Sequence, residues 1–254
     1  MAINSDAERP EGWRSPERAD SWVAGQTRRT GLQALHKRLV SALPFQPGDI
    51  IRMLDVGTGD GALGFEVLTA YPKAQLVCHD YSDPMLNHAR QRLAQFSPSV
   101  SFVNSDLKDP EWTHVIEGSF DAVVSSIAIH NVAEQSVDHG PDRIRTIYAE
   151  IFSLLKHGGC FFNFEFVSPP GFVTEGMYLK QLVDAKDSIV ATDFRYIEQR
   201  KRSPQELEAA ILKHLRHAHT PLLDQLDWLR QAQFDEVDCL WKDTQNAIIV
   251  GIKH

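Results

Sequence analysis

The sequence predicts one α/β domain whose centre is a mostly parallel sheet with helices on both faces. Three observations lead to this fold class: a glycine-rich turn joins a strand to a helix, strands and helices alternate along the chain, and most predicted strands are apolar runs without alternation. Such strands are buried on both faces, as in a parallel sheet. The chain has 254 residues, 43% of them hydrophobic, which suits a single domain with one core.

The glycine-rich turn follows the first predicted strand. That strand covers residues 51–56, the turn covers 57–61 with a glycine at every second position, and a helical pattern begins at Leu63. Glycines let the backbone approach a ligand closely, and the helix N-terminus that follows offers free N–H groups. With Ala62 the turn fits G-x-G-x-x-A, a dinucleotide fingerprint. From Asp55 it also reads D-x-G-x-G-x-G, which is similar to the first motif of class I S-adenosylmethionine (SAM) dependent methyltransferases.

The next two strands end in carboxylates. The second strand, residues 74–78, leads to Asp80, which lies 21 positions beyond Gly59. A carboxylate about 20 residues after the glycines binds a ribose diol in nucleotide-binding folds, because it accepts two hydroxyl hydrogen bonds. The third strand, residues 100–103, leads to Asp106, which is predicted either to accept a hydrogen bond from an adenine amino group or to cap a helix. These features fit NAD and SAM equally, since both contain adenosine.

The remaining elements complete the alternating pattern. Before the turn, residues 19–43 have an amphipathic helical pattern. Between the second and third strands lies a helix with Asp83 as its predicted cap. After the third strand come a fourth strand from Phe120, a helix over 142–156 and a fifth strand over 160–167. Two further strands, over 234–241 and 247–252, form a terminal hairpin, and an antiparallel ending argues against the dinucleotide fold, which classically ends in a parallel strand.

A series of motifs gives a specific resemblance. The strings LDVGTGDG, HDYSDPML, NSDL, SSIAIHNV and LLKHGG follow the order and spacing of the class I methyltransferase motifs over residues 51–167. The chain resembles small-molecule members with an I-H-H-L-like segment, although Asn131 replaces the second histidine. This resemblance implies a Rossmann-like seven-stranded sheet, mostly parallel with an antiparallel C-terminal strand. It also implies SAM as cofactor and transfer of the SAM methyl group to an O or N nucleophile of a small molecule.

The resemblance and the strand ends together give the candidate site residues. The expected cofactor-binding residues are Asp55, Gly57, Gly59, Gly61, Asp80, Tyr81, Met85, Asp106, Leu107 and Ser125. The catalytic candidates are His130, as a general base with an ordinary pKa near 6.5, and Glu165, a carboxylate in an apolar strand that needs a cation or a pocket. A structural role for each is the competing interpretation. The candidate substrate-binding residues are Arg29, Asn131, Tyr178 and Arg195.

Two segments outside the sheet are predicted to cover the ligand. Residues 1–47 are expected to form an N-terminal helical lid, although the alternative is that this helix only packs on the sheet. Residues 168–202 are expected to form a substrate cap, because that connection is longer than the fold requires. Methyl transfer needs the nucleophile, the methyl carbon and the sulfur held in line, so segments that exclude water and orient the acceptor are expected near the strand ends.

The charge and the distribution of apolar residues, cysteines and histidines disfavour several classes of function. The net charge of −8 disfavours a nucleic-acid substrate. No apolar run reaches the roughly 18 residues of a membrane span, and the polar N-terminus lacks a signal core, so a cytoplasmic monomer or homodimer is expected. The three cysteines are expected to be buried thiols. The histidines at 214, 217 and 219 have no acidic or cysteine partner nearby in sequence, so no metal site is predicted.

Three alternative functions stay open at this stage. One is an enzyme of the same fold that transfers or cyclises another part of SAM. The second is an NAD-type oxidoreductase, and the third is a catalytically silent SAM-binding protein, suggested by the missing second histidine.

Overall fold

Seven strands form the sheet at the centre of the protein. The computed structural model describes residues 12–26, 30–135, 140–184, 203–216 and 220–254. The strands are β1 (Arg52–Val56), β2 (Gln75–Asp80), β3 (Val100–Asn104), β4 (Phe120–Ser126), β5 (Leu155–Phe166), β6 (Glu236–Asp243) and β7 (Asn246–Ile252). Their order is β3-β2-β1-β4-β5-β7-β6. The first five strands are parallel and β7 is antiparallel to both of its neighbours, which confirms the predicted sheet.

Helices cover both faces of this sheet. They are α1 (Pro16–Gln26), α2 (Thr30–Ser41), α3 (Ala62–Ala70), α4 (Asp83–Leu93), α5 (Gly140–Leu154), α6 (Phe172–Asp184), α7 (Pro204–Arg216) and α8 (Leu222–Gln231). On one face α5 and α8 bury Ile147 and Leu229 against the strands. On the other, α2 and α3 bury Leu39 and Val67. The inner strands β4 and β7 are buried along most of their length, as expected for strands covered on both faces, whereas the edge strands β3 and β6 are only partly buried.

Some element boundaries differ from the prediction, and each difference has a local cause. The N-cap of α4 is Ser82, whose hydroxyl accepts a hydrogen bond from Met85 N at 3.2 Å, so Asp83 lies one position inside the helix. No α-helix follows Asp106 in the described region before β4; a short 3-10 turn at Trp112–Val115 lies there instead. A capping box opens α7, in which Ser203 N donates to Glu206 Oε2 at 2.7 Å.

The described residues include no helix long and apolar enough to cross a membrane.

Candidate active-site cleft

A cleft opens at the carboxyl ends of the central strands. Its volume is about 990 Å³, including its mouth, and residues that follow β1, β2, β3 and β4 line it. In parallel α/β sheets the ligand crevice lies at this edge, where neighbouring connections leave the sheet in opposite directions. The cleft therefore lies where the sequence placed its candidate residues.

The glycine-rich turn after β1 forms the floor of the cleft. Gly57, Gly59 and Gly61 have φ angles of 68°, 54° and 77°, in the left-handed region that favours glycine. A Cβ on Gly57 would collide with the Cβ of Ala128, so the turn packs directly against the segment after β4. A Cβ on Gly59 would meet nothing within 4 Å. The backbone at Gly59 is thus left open toward the cleft, as a ligand that approaches the turn requires.

Buried polar contacts brace this turn. The Thr58 hydroxyl donates to Asp55 Oδ2 at 2.6 Å, and Thr58 N donates to the carbonyl of His79 at 2.8 Å. Arg92 of α4 donates to the Asp60 carbonyl at 2.9 Å and pairs with its carboxylate. Burial raises the pKa of Asp55 to about 7, and the neighbouring carboxylates Asp80 and Asp60 add to this shift while the Thr58 hydrogen bond opposes it. Asp55 lines the cleft, but its carboxylate chiefly holds the turn.

Asp80 lies at the end of β2 with its carboxylate facing the same turn. Its oxygens accept hydrogen bonds from Gly59 N and Ser82 N, each at 2.9 Å. Burial raises the pKa of Asp80 to about 6, while the backbone donors act in the opposite direction. A carboxylate has about four lone-pair sites. Asp80 lines the cleft, so the lone pairs that the backbone leaves unused could accept hydrogen bonds from a ribose diol.

The cleft continues beyond Asp80 along residues that follow β2 and β3. Tyr81, Met85, Asp106 and Leu107 all line it, as the sequence predicted for a cofactor site. Asp106 accepts a hydrogen bond from Lys108 N at 3.0 Å and lies 3.8 Å from the Arg14 guanidinium.

Two tryptophans of the N-terminal segment line this end of the cleft, and neither was among the predicted site residues. The lid role of residues 1–47 stays a prediction. Trp13 N donates to the Tyr81 hydroxyl at 3.1 Å, and the Ser82 hydroxyl donates to the Trp13 carbonyl at 2.5 Å. Trp22 packs edge-on against Trp13 with ring centroids 5.4 Å apart, and both rings line the cleft. These contacts join residues 68 or 69 positions apart, so periodicity alone could not reveal them.

The two serines at the end of β4 have different surroundings. The Ser125 hydroxyl is fully buried and donates to the Val56 carbonyl at 2.8 Å, so it ties β4 to β1. Ser125 is not among the described residues that line the cleft, so its expected contact with the cofactor stays a prediction. Ser126 does line the cleft. Its hydroxyl lies 2.8 Å from Nε2 of His36, a buried histidine of α2 that also lines the cleft. Burial lowers the pKa of His36 to about 4, with a smaller contribution from Arg92.

The two catalytic candidates, His130 and Glu165, form a buried pair. His130 Nδ1 lies 2.6 Å from Glu165 Oε1, and the side chains are 8% and 2% exposed. Glu165 also accepts hydrogen bonds from His130 N at 3.2 Å and Phe166 N at 2.8 Å. His130 is not among the described residues that line the cleft, whereas its neighbours Ala128 and Asn131 are. The pair therefore anchors the turn after β4 to β5.

The substrate candidates separate into three groups. Asn131 lines the cleft, and its amide donates to the Ala128 carbonyl at 3.1 Å. Tyr178 does not; it packs beside the small α6–α7 cluster, and Lys242 donates to its hydroxyl at 2.6 Å. Arg29 and Arg195 lie outside the described residues, as do His217, His219 and the side chain of His214. Within the described part of the chain, no three His, Cys, Asp or Glu side chains are grouped to hold a metal ion.

Comparison with known proteins gives a consistent set of relatives. Residues 53–159 match a family model described as a methyltransferase domain. The chain is 30% identical over 207 residues to a demethylmenaquinone methyltransferase of Symbiobacterium thermophilum, covering 80% of this chain and 75% of that protein.

Solved structures share the fold at low sequence identity. An O-methyltransferase family protein from Burkholderia thailandensis has a TM-score of 0.65 at 15% identity, covering 99% of this chain and 65% of the other. Human N-acetylserotonin methyltransferase, solved with SAM, has a TM-score of 0.57 at 17% identity, covering 95% and 57%. The chain thus spans less than two thirds of either solved chain.

Proposed function

Since this chain belongs to the class I SAM-dependent methyltransferases, we propose that it transfers the SAM methyl group to an oxygen or nitrogen nucleophile of a small molecule. The main support for this proposal is the layout of one cleft. Asp80, a carboxylate suited to a ribose diol, and the hydrogen-bonding side chains Ser126 and Asn131 all line it. Family membership removes the oxidoreductase alternative, and the antiparallel β7 agrees with this.

The cleft suggests one orientation for the cofactor. We place the ribose at Asp80 and the adenine between Asp106 and Leu107, with Tyr81 and Met85 beside them. The amino-acid portion then follows the glycine turn, over the open face of Gly59. This orientation points the sulfur toward the end of β4, where Ser126 and Asn131 line the cleft.

Methyl transfer does not require the protein to form a covalent intermediate. SAM supplies a methyl group on a sulfonium, which is already a good leaving group. The chain must hold the acceptor in line and take up its proton where it carries one. Asn131 is proposed to contact the acceptor from the turn that Glu165 anchors. The role of His130 as a general base stays a prediction, because the described contacts of its ring are with Glu165 and Phe166.

A small-molecule acceptor is supported by two kinds of observation. Two of the proteins compared above are named for demethylmenaquinone and N-acetylserotonin, and both of these are small molecules. The net charge of −8 gives no general attraction to the phosphates of a nucleic acid. Cytoplasmic location and a monomeric or homodimeric state stay predictions.

Mass spectrometry of the reaction products tests the proposal. The protein is incubated with methyl-labelled SAM, with and without a metabolite extract. S-adenosylhomocysteine (SAH) that accumulates only with extract, together with a labelled small molecule, is the expected result. Methylthioadenosine above the no-enzyme control would instead show that the aminocarboxypropyl group leaves. Tight SAM binding without either product across a broad acceptor panel would favour a silent binding protein.

Two glycine substitutions should separate cofactor binding from packing. Gly59→Ala is expected to weaken SAH binding by about tenfold or more, because the new methyl group enters the proposed cofactor space. It should also lower the free energy of unfolding by about 1–2 kcal/mol, because an L-residue is unfavourable at a left-handed φ. Gly57→Ala should destabilise the fold further, because its Cβ meets Ala128. Calorimetric titration and urea unfolding measure the two effects. Equal SAH affinity in wild type and Gly59→Ala would contradict the proposed path of the cofactor.

Cofactor affinity is expected to rise with pH. In the free protein the pKa values of Asp55 and Asp80 are raised to about 7 and about 6, mainly by burial. Hydroxyl donors and a sulfonium favour the ionised carboxylates, so binding must release the protons held at lower pH. SAM affinity should therefore increase from pH 5 to pH 7.5 and then level off, with net proton release near pH 6. Calorimetry in buffers of different ionisation enthalpy measures this release, and a pH-independent affinity would contradict the assignment.

A further inference from the structure

The contact between α2 and the end of β4 is a polar pair inside an otherwise apolar packing. Leu32, Leu35 and Leu39 place the apolar stripe of α2 against the sheet, and His36 lies on the same stripe. A histidine there is only 4% exposed, and its Nε2 lies 2.8 Å from the Ser126 hydroxyl, which belongs to a residue 90 positions away. The pair therefore depends on the tertiary fold, and it faces the cleft at the end opposite Asp80.

The backbone next to this pair is strained. Ile127 has a φ angle of 52°, and a β-branched residue in the left-handed region is a rare and unfavourable conformation. Strain of this kind persists where the surrounding structure requires it, and it concentrates at functional sites. The Ile127 amide is fixed by the Phe164 carbonyl at 2.8 Å, so the strained residue holds Ser126 at the cleft surface.

We propose that Ser126 is the hydrogen-bond partner of the methyl acceptor, and that His36 is the positioning residue that orients the Ser126 hydroxyl and receives its proton. This inference rests on the proposed function and names the group that handles the acceptor's proton. Ser126 is better placed for that contact than His130, because Ser126 lines the cleft, whereas His130 is not among the described lining residues and its Nδ1 contacts Glu165.

The proton transfer balances in atoms and in charge. The acceptor's O–H or N–H proton passes to Ser126 Oγ while the Ser126 proton passes to His36 Nε2. The freed electron pair of the acceptor forms the bond to the methyl carbon, and the electrons of the broken carbon–sulfur bond stay on sulfur. One positive charge is present before the step, on the sulfonium, and one after it, on the imidazolium of His36. A neutral His36 before the step also avoids placing two cations in one cleft.

Nuclear magnetic resonance of ring-labelled histidine tests the position of His36 relative to the cofactor, and this measurement needs no methyl acceptor. The chain has 11 histidines, and His36, His79 and His130 are assigned by the loss of one signal in each glutamine variant. SAM and SAH differ only by the methyl group and its charge. His36 is expected to show a larger SAM–SAH shift difference than His79, which lines the adenosine end of the cleft. Equal differences at His36 and His79, or the largest one at His130, would overturn the proposal.

A charge substitution provides a second, independent test of the same placement. His36→Lys should weaken SAM binding at least about tenfold more than SAH binding, through repulsion between two cations in a partly buried site. His36→Gln should keep the SAM-to-SAH affinity ratio of the wild type. Ala34→Lys adds the same charge at an exposed position of α2 and is the matched control. If His36→Lys does not fold, the resonance comparison on the wild-type protein still decides the question.

Label transfer from methyl-labelled SAM into a metabolite extract tests the chemical role. Ser126→Ala is expected to lower the rate at least about tenfold with SAM affinity unchanged, and Ser126→Thr, which keeps a hydroxyl, should restore most of it. Normal transfer by Ser126→Ala would overturn the role of Ser126. Absence of transfer by the wild-type protein would instead contradict the proposed function, while the resonance comparison would still report the position of His36.

Discussion

Replacing Asp80 with alanine is expected to weaken SAM binding by roughly 1.5–3 kcal/mol, which is on the order of ten- to a hundredfold in dissociation constant. The physical reason is the loss of charge-assisted hydrogen bonds to the ribose. Asp80 already holds Gly59 N and Ser82 N, so its removal also loosens the turn that follows β1. Calorimetric titration with SAM and with SAH measures the change, and both ligands should lose affinity alike because they share the ribose.

Two matched variants make this result specific. Asp80→Asn keeps one acceptor oxygen without the charge, so its affinity should lie between those of wild type and Asp80→Ala. Asp83→Ala removes an exposed carboxylate three positions away that contacts Asn104 rather than the cleft, and its SAM affinity should match the wild type. Unchanged affinity in a folded Asp80→Ala protein would remove Asp80 from the ribose site.

The second large effect is expected at Glu165. Glu165→Ala should lower the free energy of unfolding by roughly 3–5 kcal/mol, because breaking a buried pair leaves its partner groups without compensation. The carboxylate is 2% exposed and accepts hydrogen bonds from the His130 ring, His130 N and Phe166 N. Urea unfolding followed by circular dichroism measures this loss.

Two control variants accompany Glu165→Ala: a conservative substitution at the same position and an alanine substitution of an exposed carboxylate. Glu165→Gln retains an acceptor oxygen and should cost less than Glu165→Ala. Glu117→Ala removes an exposed carboxylate from a loop and should change stability by no more than about 0.5 kcal/mol. A loss below about 1 kcal/mol for Glu165→Ala would show that the turn after β4 does not depend on this carboxylate.

Local sequence patterns were sufficient to predict one side of the cleft. The glycines and Asp80 are close in sequence, and their spacing follows from the geometry of a strand, a turn and a helix, so a single chain reveals them. The same holds for the sheet, since strands buried on both faces and an antiparallel terminal hairpin leave a clear apolar pattern. The chain of contacts from Asp55 through Thr58 to the His79 carbonyl is a consequence of that local geometry.

The other side of the cleft depends on contacts between distant residues. His36 meets Ser126 across 90 positions, and the partner of the buried Glu165 is His130, 35 positions away. The apolar surroundings of Glu165 in the sequence predicted that its carboxylate needs a cation or a pocket, but they could not identify the partner residue. One signal for His36 was present: a histidine four residues after Leu32 falls on the apolar stripe of its helix, where a polar side chain needs a buried partner.

A crystal structure of the protein with SAH would show the ligand orientation itself, because the proposed orientation fixes both ends of the ligand. The predicted result has the ribose hydroxyls within hydrogen-bond distance of the Asp80 carboxylate, the adenine beside Asp106 and Leu107, and the sulfur at the Ser126 end of the cleft. A reversed ligand, with its adenosine at Ser126 and its amino-acid group near Asp106, would contradict the account, as would an SAH molecule bound outside this cleft.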